Sequence, residues 1–135
     1  MKIAFGSDTN TPLVQSMISF LVDNGHQVTA VAMGEVWTDV AKQVAESVTK
    51  NQVERGVVCC WTGTGVSIAA NKVPGVRAAL CTDAQTAAGA RKYNDANVLA
   101  ISLRLTSEEV AKEILEAFLN VKVDPAELEI VNRLL

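Results

Sequence analysis

Five short apolar runs alternate with longer amphipathic segments along the chain, and this alternation limits the possible folds more than any other feature. The runs are KIAFG (2–6), HQVTAVAM (26–33), GVVCC (56–60), RAALC (77–81) and NVLAIS (97–102). Continuous apolar runs of this length are typical of strands buried on both faces. Strands that alternate with helices favour a parallel sheet covered by helices. The sequence therefore predicts an α/β fold with a five-stranded parallel sheet.

The segments between the runs carry helical periodicity and helix-end signals. Within residues 36–52 a valine recurs every four residues from Val36 to Val48, which predicts an amphipathic helix. Within residues 11–25, Pro12 fits the first helical position and Gly25 fits the position just beyond the helix end. These signals support helices between consecutive strands.

Two further helix starts lie near the C-terminus. Thr106 and Glu109 have the spacing of a capping box, and Asp124 repeats the capping signal before a proline. A chain of 135 residues favours one domain. We therefore expect a single domain over residues 1–135, in which residues 120–135 form a C-terminal helix.

Composition excludes several classes of protein. Hydrophobic residues make up 49% of the chain, which excludes a disordered protein, and the net charge of -3 gives no basic footprint for nucleic acid. No apolar run reaches roughly 18 residues, so no membrane span or membrane partner is expected. The start MKIAFGSD lacks the features of a signal peptide, and three cysteines with two adjacent fit a reduced compartment, so we expect a cytoplasmic protein.

The sequence gives no sign of a metal site or a bound cofactor. Paired C-x-x-C spacing is absent, and His26 is the one histidine of the chain. His26 precedes a strand, at the edge of the sheet away from the strands' carboxyl ends, so we expect an exposed polar residue. We therefore expect no metal and no cofactor.

The loops after the strands are the expected place for a functional site, because ligands of open α/β sheets bind outside the carboxyl ends of the strands. The third of these loops contains Gly63, Thr64 and Gly65. It fails the dinucleotide fingerprint, because Ile68 stands where the last glycine or alanine is required. The interpretation that survives is a set of backbone N–H groups before a helix, which can bind an anion or stabilise an oxyanion.

Cys60 is the candidate reactive group of this loop. Side chains alternate along a strand, so Cys59 and Cys60 point to opposite faces of the sheet. Cys60 lies beside a helix start, where a thiolate is stabilised, and is either a base or nucleophile or a buried small hydrophobe. We expect Cys59 and Cys81 to be packing residues.

Other polar residues near the predicted crevice each have two interpretations. Asp8 follows the first strand and either orients a hydroxyl or takes part in capping the next helix. Tyr93 either donates a proton or packs as a half-buried ring. Arg104 either pairs with an anion or is solvated. Trp37 and Asp39 either reach the rim of the crevice or belong to their helix alone.

Three stretches of the chain resemble one family. GSD at 6–8, the block from Cys60 to Cys81 with the pattern C-x-T-G-x-G-x-S-I-A-A-N-K-V-P-G-x-R-A-A-L-C, and Y-N-D-A-N-V-L-A at 93–100 resemble the ribose-5-phosphate isomerase B family, which includes the galactose-6-phosphate isomerase subunits. The resemblance runs from Met1 to about Leu119. It implies a Rossmann-like three-layer α/β/α sandwich, metal-free aldose–ketose isomerisation, and a homodimer whose active sites use residues from both chains.

The resemblance also implies roles for individual residues. The cysteine that matches Cys60 removes the proton next to the carbonyl, and Thr62 matches a hydroxyl that assists it. Backbone N–H groups of Gly63, Thr64 and Gly65 stabilise the enediolate. Asp8 matches the aspartate that helps to open the sugar ring. Asn94 matches an asparagine that contacts substrate.

The chain departs from the family pattern at the site. Thr9 replaces the histidine of GSDHAG, Tyr93 replaces the ring-opening histidine, and Trp61 replaces the glycine after the catalytic cysteine. The divergent C-terminal segment, rich in Arg and His in the family, here keeps only Arg133. These departures predict an isomerase whose small carbohydrate-like substrate differs from ribose 5-phosphate, with Thr9 and Trp61 among its contacts.

Two other hypotheses remain open. One is an ordinary pentose- or hexose-phosphate isomerase in which Arg104, Arg133 and backbone N–H groups hold the phosphate. The other is a non-catalytic binding or partner protein that retains the isomerase scaffold, in which Trp61 plugs the pocket. The position of the Trp61 ring relative to the Cys60 thiol discriminates between a catalytic and a closed site.

Overall fold

The computed structural model describes residues 1–134, and its elements follow the predicted alternation of strands and helices. The strands are β1 (Lys2–Ser7), β2 (Gln27–Met33), β3 (Arg55–Cys60), β4 (Ala78–Leu80) and β5 (Val98–Ser102). The helices are α1 (Pro12–Asp23), α2 (Trp37–Thr49), α3 (Thr64–Asn71), α4 (Ala84–Asn94), α5 (Glu108–Asn120) and α6 (Leu128–Val131), with 3₁₀ turns at Pro125–Glu127 and Asn132–Leu134. Within the described part of the chain, no helix has both the length and the apolar character needed to cross a membrane.

The strands form one five-stranded sheet in the order β2-β1-β3-β5-β4. Every pairing in it is parallel, as the alternating pattern predicts. β1 and β3 are central neighbours, yet the chain leaves β1 toward β2 at one edge and leaves β3 toward β4 at the other. The carboxyl ends of β1 and β3 are therefore the topological switch point of the sheet, where α/β proteins place their crevice.

Helices cover both faces of the sheet and complete three layers. One buried cluster joins α1, α4 and α5 to side chains such as Phe5 and Cys59, and a second cluster joins α2 and α3 to side chains such as Ala4 and Cys60. The alternation of strand side chains therefore separates the two adjacent cysteines, as predicted. The Rossmann-like three-layer sandwich is confirmed.

The predicted helix ends are mostly confirmed, with one correction. Pro12 is the first residue of α1, and Gly25 lies just beyond its end with a φ of 85°. The capping box assigned to Thr106 is wrong by one position. Ser107 is the cap of α5, and its hydroxyl accepts a hydrogen bond from the Val110 N–H at 3.2 Å. Thr106 is instead buried at 8% exposure.

The C-terminal segment differs from the single helix predicted for residues 120–135. Residues 121–124 are not helical, and the rest of the described segment is divided between two 3₁₀ turns and the one-turn α6. The predicted cap is confirmed, because the Asp124 carboxylate accepts from the Ala126 N–H at 3.0 Å. Val131 is the one buried residue of α6. The part of the prediction that falls on Leu135 lies outside the described residues.

Candidate active site

A cavity of about 310 Å³ lies at the switch point between the carboxyl ends of β1 and β3. Its walls come from the loop after β1, the start of α2, and the loop that joins β3 to α3. The lining residues are Asp8, Trp37, Cys60, Trp61, Thr62, Thr64 and Gly65. The volume is at the lower end of the range for small-molecule sites. Five residues with a predicted catalytic or binding role, together with Cys60 itself, thus meet in one place.

Cys60 is the one cysteine that reaches this cavity. It is the last residue of β3 and is 6% exposed, whereas Cys59 and Cys81 are fully buried. Burial raises the pKa of the Cys59 thiol, with smaller contributions from the Cys60 and Asp8 charges. Burial, followed by the Asp83 carboxylate, raises the pKa of Cys81 to about 11. Since the thiolate is the reactive form, Cys59 and Cys81 are inert packing residues, as expected.

The loop after Cys60 presents an uncapped helix start to the cavity. Gly63, the residue before α3, has a left-handed φ of 76° and no side chain caps the helix there. By contrast, the starts of α1, α4 and α5 are each capped by a side-chain oxygen. The first N–H groups of a helix have no partner within the helix. Around Thr64 and Gly65 they are consequently available to a ligand oxygen.

The strand β5 holds this loop in position. The Ser102 hydroxyl donates to the Trp61 carbonyl oxygen at 3.1 Å, and the Arg104 N–H donates to the same oxygen at 2.9 Å. The Leu103 N–H donates to the Cys60 carbonyl oxygen at 3.0 Å. Ser102 is 1% exposed, so it acts from beneath the loop. Sequence reasoning placed the crevice after Ser102 but missed this supporting role, for which no sequence motif exists.

Both tryptophans of the chain form walls of the cavity. Trp61 is 60% exposed and borders the cavity without filling it. Trp37 lies against the start of α3, since a Cβ added to Gly65 would come within 2.9 Å of Trp37 Cε3. Of the two interpretations of Trp37, the structure supports the one in which it reaches the crevice. Gly65 therefore allows the indole to approach the backbone of the loop.

Asp8 also lines the cavity, and it is not the cap of the following helix. The α1 cap is Thr11, whose hydroxyl accepts from the Val14 N–H at 3.2 Å. Asp8 is thus free of that role, and its N–H donates to the Cys59 carbonyl oxygen at 3.3 Å. The Thr9 hydroxyl donates to the Asp8 carboxylate at 3.3 Å. Thr9 itself does not line the cavity and reaches it through Asp8.

The hydroxyl groups of Thr62 and Thr64, in the loop after β3 and at the start of α3, complete the polar lining of the cavity. Thr62 Oγ1 and Thr64 Oγ1 are 2.9 Å apart and share a hydrogen bond. Both hydroxyls face a cavity in which Asp8 is the one ionisable group besides the Cys60 thiol. Lysine and arginine side chains are absent from the lining within residues 1–134. A doubly charged phosphate would therefore depend on backbone N–H groups for its contacts.

Tyr93 and Asn94 lie at the other end of the molecule. They end α4, which runs from the carboxyl end of β4 back toward the amino end of β5. Tyr93 is 51% exposed with Lys92 Nζ 5.2 Å from its ring centroid, and Asn94 lines a separate cavity of about 430 Å³. The expectation that Tyr93 lies near the crevice is therefore wrong within a single chain, and Asn94, which matches a substrate-contacting asparagine, is also away from it. The Arg104 side chain is exposed and also outside the cavity lining.

The cavity holds a thiol, a carboxylate and an uncapped helix start, and it lies at the switch point of a Rossmann-like sandwich. These features define the class of α/β proteins that bind a small molecule at the carboxyl ends of their strands. No group of three or more His, Cys, Asp and Glu side chains within residues 1–134 is placed to hold a metal ion. A family model described as Ribose/Galactose Isomerase matches residues 3–133. The chain belongs to this family of sugar-phosphate isomerases.

Individual relatives agree with this assignment. The chain is 38% identical to ribose-5-phosphate isomerase B of Escherichia coli over 91% of its own length and 86% of that protein. It is 37% identical to the D-erythrulose-4-phosphate isomerase of Pectobacterium atrosepticum, with 92% and 86% covered. The solved structure of Clostridium thermocellum ribose-5-phosphate isomerase B superposes with a TM-score of 0.90 at 36% identity, covering 98% of this chain and 94% of the other.

Proposed function

We propose that this chain is an aldose–ketose isomerase that acts on a sugar or sugar-phosphate-like hydroxycarbonyl compound, with Cys60 as the base. One observation carries the proposal. The Cys60 thiol and the uncapped start of α3 line the same cavity, next to the carboxylate of Asp8. A base beside a row of N–H donors is the arrangement that proton abstraction next to a carbonyl requires.

The reaction proceeds through an enediolate. The Cys60 thiolate takes the proton from the carbon that bears the hydroxyl next to the carbonyl, and the electron pair of that bond forms the enediolate. The N–H groups of Gly63, Thr64 and Gly65 stabilise the new negative charge, and loss of one such donor typically costs about 3 kcal/mol. The Thr62 hydroxyl passes the hydroxyl proton between the two oxygens. The thiol then returns its proton to the former carbonyl carbon, so no co-reactant is consumed.

The residues that open a sugar ring come from two places. Asp8 lines the cavity of its own chain, whereas Tyr93 and Asn94 lie at the opposite end of the sheet. A homodimer with shared sites brings Tyr93 and Asn94 of a second copy to Cys60, and Tyr93 then exchanges a proton with the ring oxygen. We propose this homodimer, in the cytoplasm, as the active form.

The cavity favours a substrate that carries less negative charge than ribose 5-phosphate. The described lining has no cationic side chain and holds the Asp8 carboxylate, so a phosphate dianion would have only backbone N–H groups as donors. Relatives of the chain are named as isomerases of ribose, erythrulose and galactose phosphates, so substrates differ within the family. The alternative of a non-catalytic protein needs Trp61 to plug the site. Its exposed ring and the open cavity beside Cys60 argue against a plug.

Exchange of the substrate α-hydrogen in deuterated water tests the proposal. The wild-type protein is incubated with ribose 5-phosphate and a panel of free pentoses, hexoses and tetruloses, and deuterium incorporation is followed by NMR. We expect Cys60→Ala to lower the exchange rate by about a hundredfold to ten-thousandfold, because it removes the base. Cys81→Ala, which removes a thiol outside the cavity, is the matched control and keeps the wild-type rate. Absence of exchange with every compound, or equal rates in both variants, contradicts the proposal.

A further inference from the structure

A second and larger cavity, of about 860 Å³, lies at the amino end of the sheet. It is bordered by the starts of β1 and β3, the loop between α3 and β4, and the loop between α4 and β5. Its charged lining residues are Lys2, Glu54, Arg55, Arg77 and Asp95. The candidate active site is at the carboxyl end of the same sheet, so the two cavities are separated by the length of the strands. Within one chain the second cavity therefore shares no residue with the candidate active site.

The negative charge of Asp95 in this cavity is shared by two arginines. Arg77 Nη2 donates to the Asp95 carboxylate at 3.2 Å, and Arg91 Nη1 donates to its other oxygen at 2.9 Å. Arg91 is 4% exposed and also donates to the carbonyl oxygens of Ala96 and Val121. One carboxylate thus faces two guanidinium groups, of which one is held in the interior.

Arg55 is a third guanidinium beside this pair and has no carboxylate partner within residues 1–134. Its one hydrogen bond is from Nη1 to the Glu54 carbonyl oxygen at 3.2 Å, and its buried Nε–H has no partner in the described chain. An arginine has five N–H donors, so most of its donors are unused. Burial, followed by repulsion from Arg91, lowers the pKa of Arg55. The nearby charges of Asp95 and Glu54 act in the opposite direction but do not offset burial, and neither carboxylate forms an ion pair with Arg55.

The sum of charges around the cavity is positive in a chain that is negative overall. Three cations, Lys2, Arg55 and Arg77, line the cavity against two carboxylates, Glu54 and Asp95, and the buried Arg91 pairs with Asp95 from the interior, whereas the chain carries a net charge of -3. Unpaired, partly buried guanidinium groups gain most from an oxyanion, because their planar N–H forks match carboxylate and phosphate oxygens.

We propose that this cavity is a binding site for the phosphate or carboxylate group of a small anionic molecule. Arg55 supplies a free guanidinium fork, Arg77 supplies its remaining N–H donors, and Lys2 adds a third positive charge to the lining. The side-chain amide of Asn97 already donates to the Gly75 carbonyl oxygen, so it shapes the wall and does not contact the anion.

NMR titration of the ¹⁵N-labelled full-length protein tests the site. Inorganic phosphate and succinate are added in separate arms at constant ionic strength, with chloride as the reference anion. The Nε–Hε signals of Arg55 and Arg77 report on the proposed site, and the amide signals of Gly63 and Gly65 report on the candidate active site. We expect saturable shifts of Arg55 and Arg77, with millimolar affinity or tighter for at least one of the two anions. The stronger arm identifies the chemical group that the site takes.

Matched variants make the result specific. Arg55→Gln weakens binding by about tenfold to a hundredfold, because a hydrogen bond to a charged group is lost. Lys42→Gln removes a positive charge from the exposed face of α2 and leaves the affinity unchanged. Lys2 is the exposed first residue of β1, and Lys2→Gln is expected to weaken binding severalfold. This variant tests the site if Arg55→Gln does not fold. The proposal is overturned if the NMR shifts increase linearly with phosphate and succinate, without saturation, as they do with chloride. It is also overturned if Arg55→Gln and Lys2→Gln both bind with wild-type affinity.

Discussion

At Gly63 the chain turns from the β3 loop into α3 with a left-handed backbone and almost no space beside it. A Cβ at this position would lie 2.6 Å from Leu80 Cδ1, 2.9 Å from the Ser102 nitrogen and 3.0 Å from the Ile101 carbonyl carbon. The Leu80 side chain can move, but the backbone of β5 cannot. The glycine therefore fixes the distance between the Cys60 loop and β5, and with it the direction of the N–H groups at the start of α3.

Substitution of Gly63 by alanine tests this constraint. We expect Gly63→Ala to lower the free energy of unfolding by about 3 kcal/mol, through left-handed strain and overpacking together. Gly25→Ala is the matched control, because Gly25 has a similar φ of 85° with nothing within 4 Å of the added carbon. It costs about 1 kcal/mol through strain alone. Urea denaturation of both variants measures the difference, and equal losses would show that the contacts with β5 are unimportant.

At the scale of helices, the starts of α3 and α5 are built in opposite ways. α5 begins with a side-chain cap from Ser107 and two acidic residues in its first turn. α3 begins with Gly63, without a side-chain cap and without a charge in its first turn. A capped helix start satisfies its own N–H groups, whereas an uncapped one leaves them for a ligand. α2 also lacks a side-chain cap, so the place of the α3 start beside Cys60, and not the missing cap alone, is what makes its N–H groups candidates for the proposed site.

The cap of α5 is tested by two neighbouring substitutions. We expect Ser107→Ala to lower the free energy of unfolding by about 1 kcal/mol, the usual cost of a lost cap. Thr106→Val is the control. The buried Thr106 hydroxyl has no hydrogen-bond partner within residues 1–134, so replacing it with a methyl group leaves stability unchanged or raises it. Chemical denaturation measures both variants, and a larger loss for Thr106→Val would restore the cap to Thr106.

Local patterns predicted the elements well, and tertiary contacts explain the failures. Two-residue periodicity separated Cys59 from Cys60 without a structure, because it depends only on the pleat of a strand. The cap of α5 was misplaced because Thr106 and Ser107 are both good caps, and burial of Thr106 decides between them. The place of Trp37 beside Gly65 depends on how α2 packs on α3, which no local pattern encodes.

For the whole molecule, one chain holds two halves of the proposed site at opposite ends of its sheet. The cavity with Cys60 and Asp8 opens at the carboxyl end, and Tyr93 and Asn94 end α4 at the amino end. A single chain cannot join the two halves. A symmetric dimer joins them twice, because a two-fold axis repeats each contact between the copies.

Mixed dimers test this arrangement. Cys60→Ala and Tyr93→Phe are each expected to be nearly inactive alone. A purified heterodimer of the two has one site with both changes and one intact site, so it recovers about half of the wild-type activity. A heterodimer of Cys60→Ala with Asp8→Asn is the control. Both of these residues line the same chain's cavity, so neither of its sites is intact and no activity returns. Activity equal to that of the parents in the first heterodimer contradicts shared sites.

The walls of the candidate cavity contain the intrinsic fluorophores of the protein. Trp37 and Trp61 are the two tryptophans of the protein, and both border the cavity beside Cys60. The two residues are 41% and 60% exposed, so each indole emits from a partly aqueous environment. A molecule that enters and displaces water from them shifts the emission of the whole protein toward the blue. Occupancy of the site can therefore be followed by intrinsic fluorescence, without a label and without turnover.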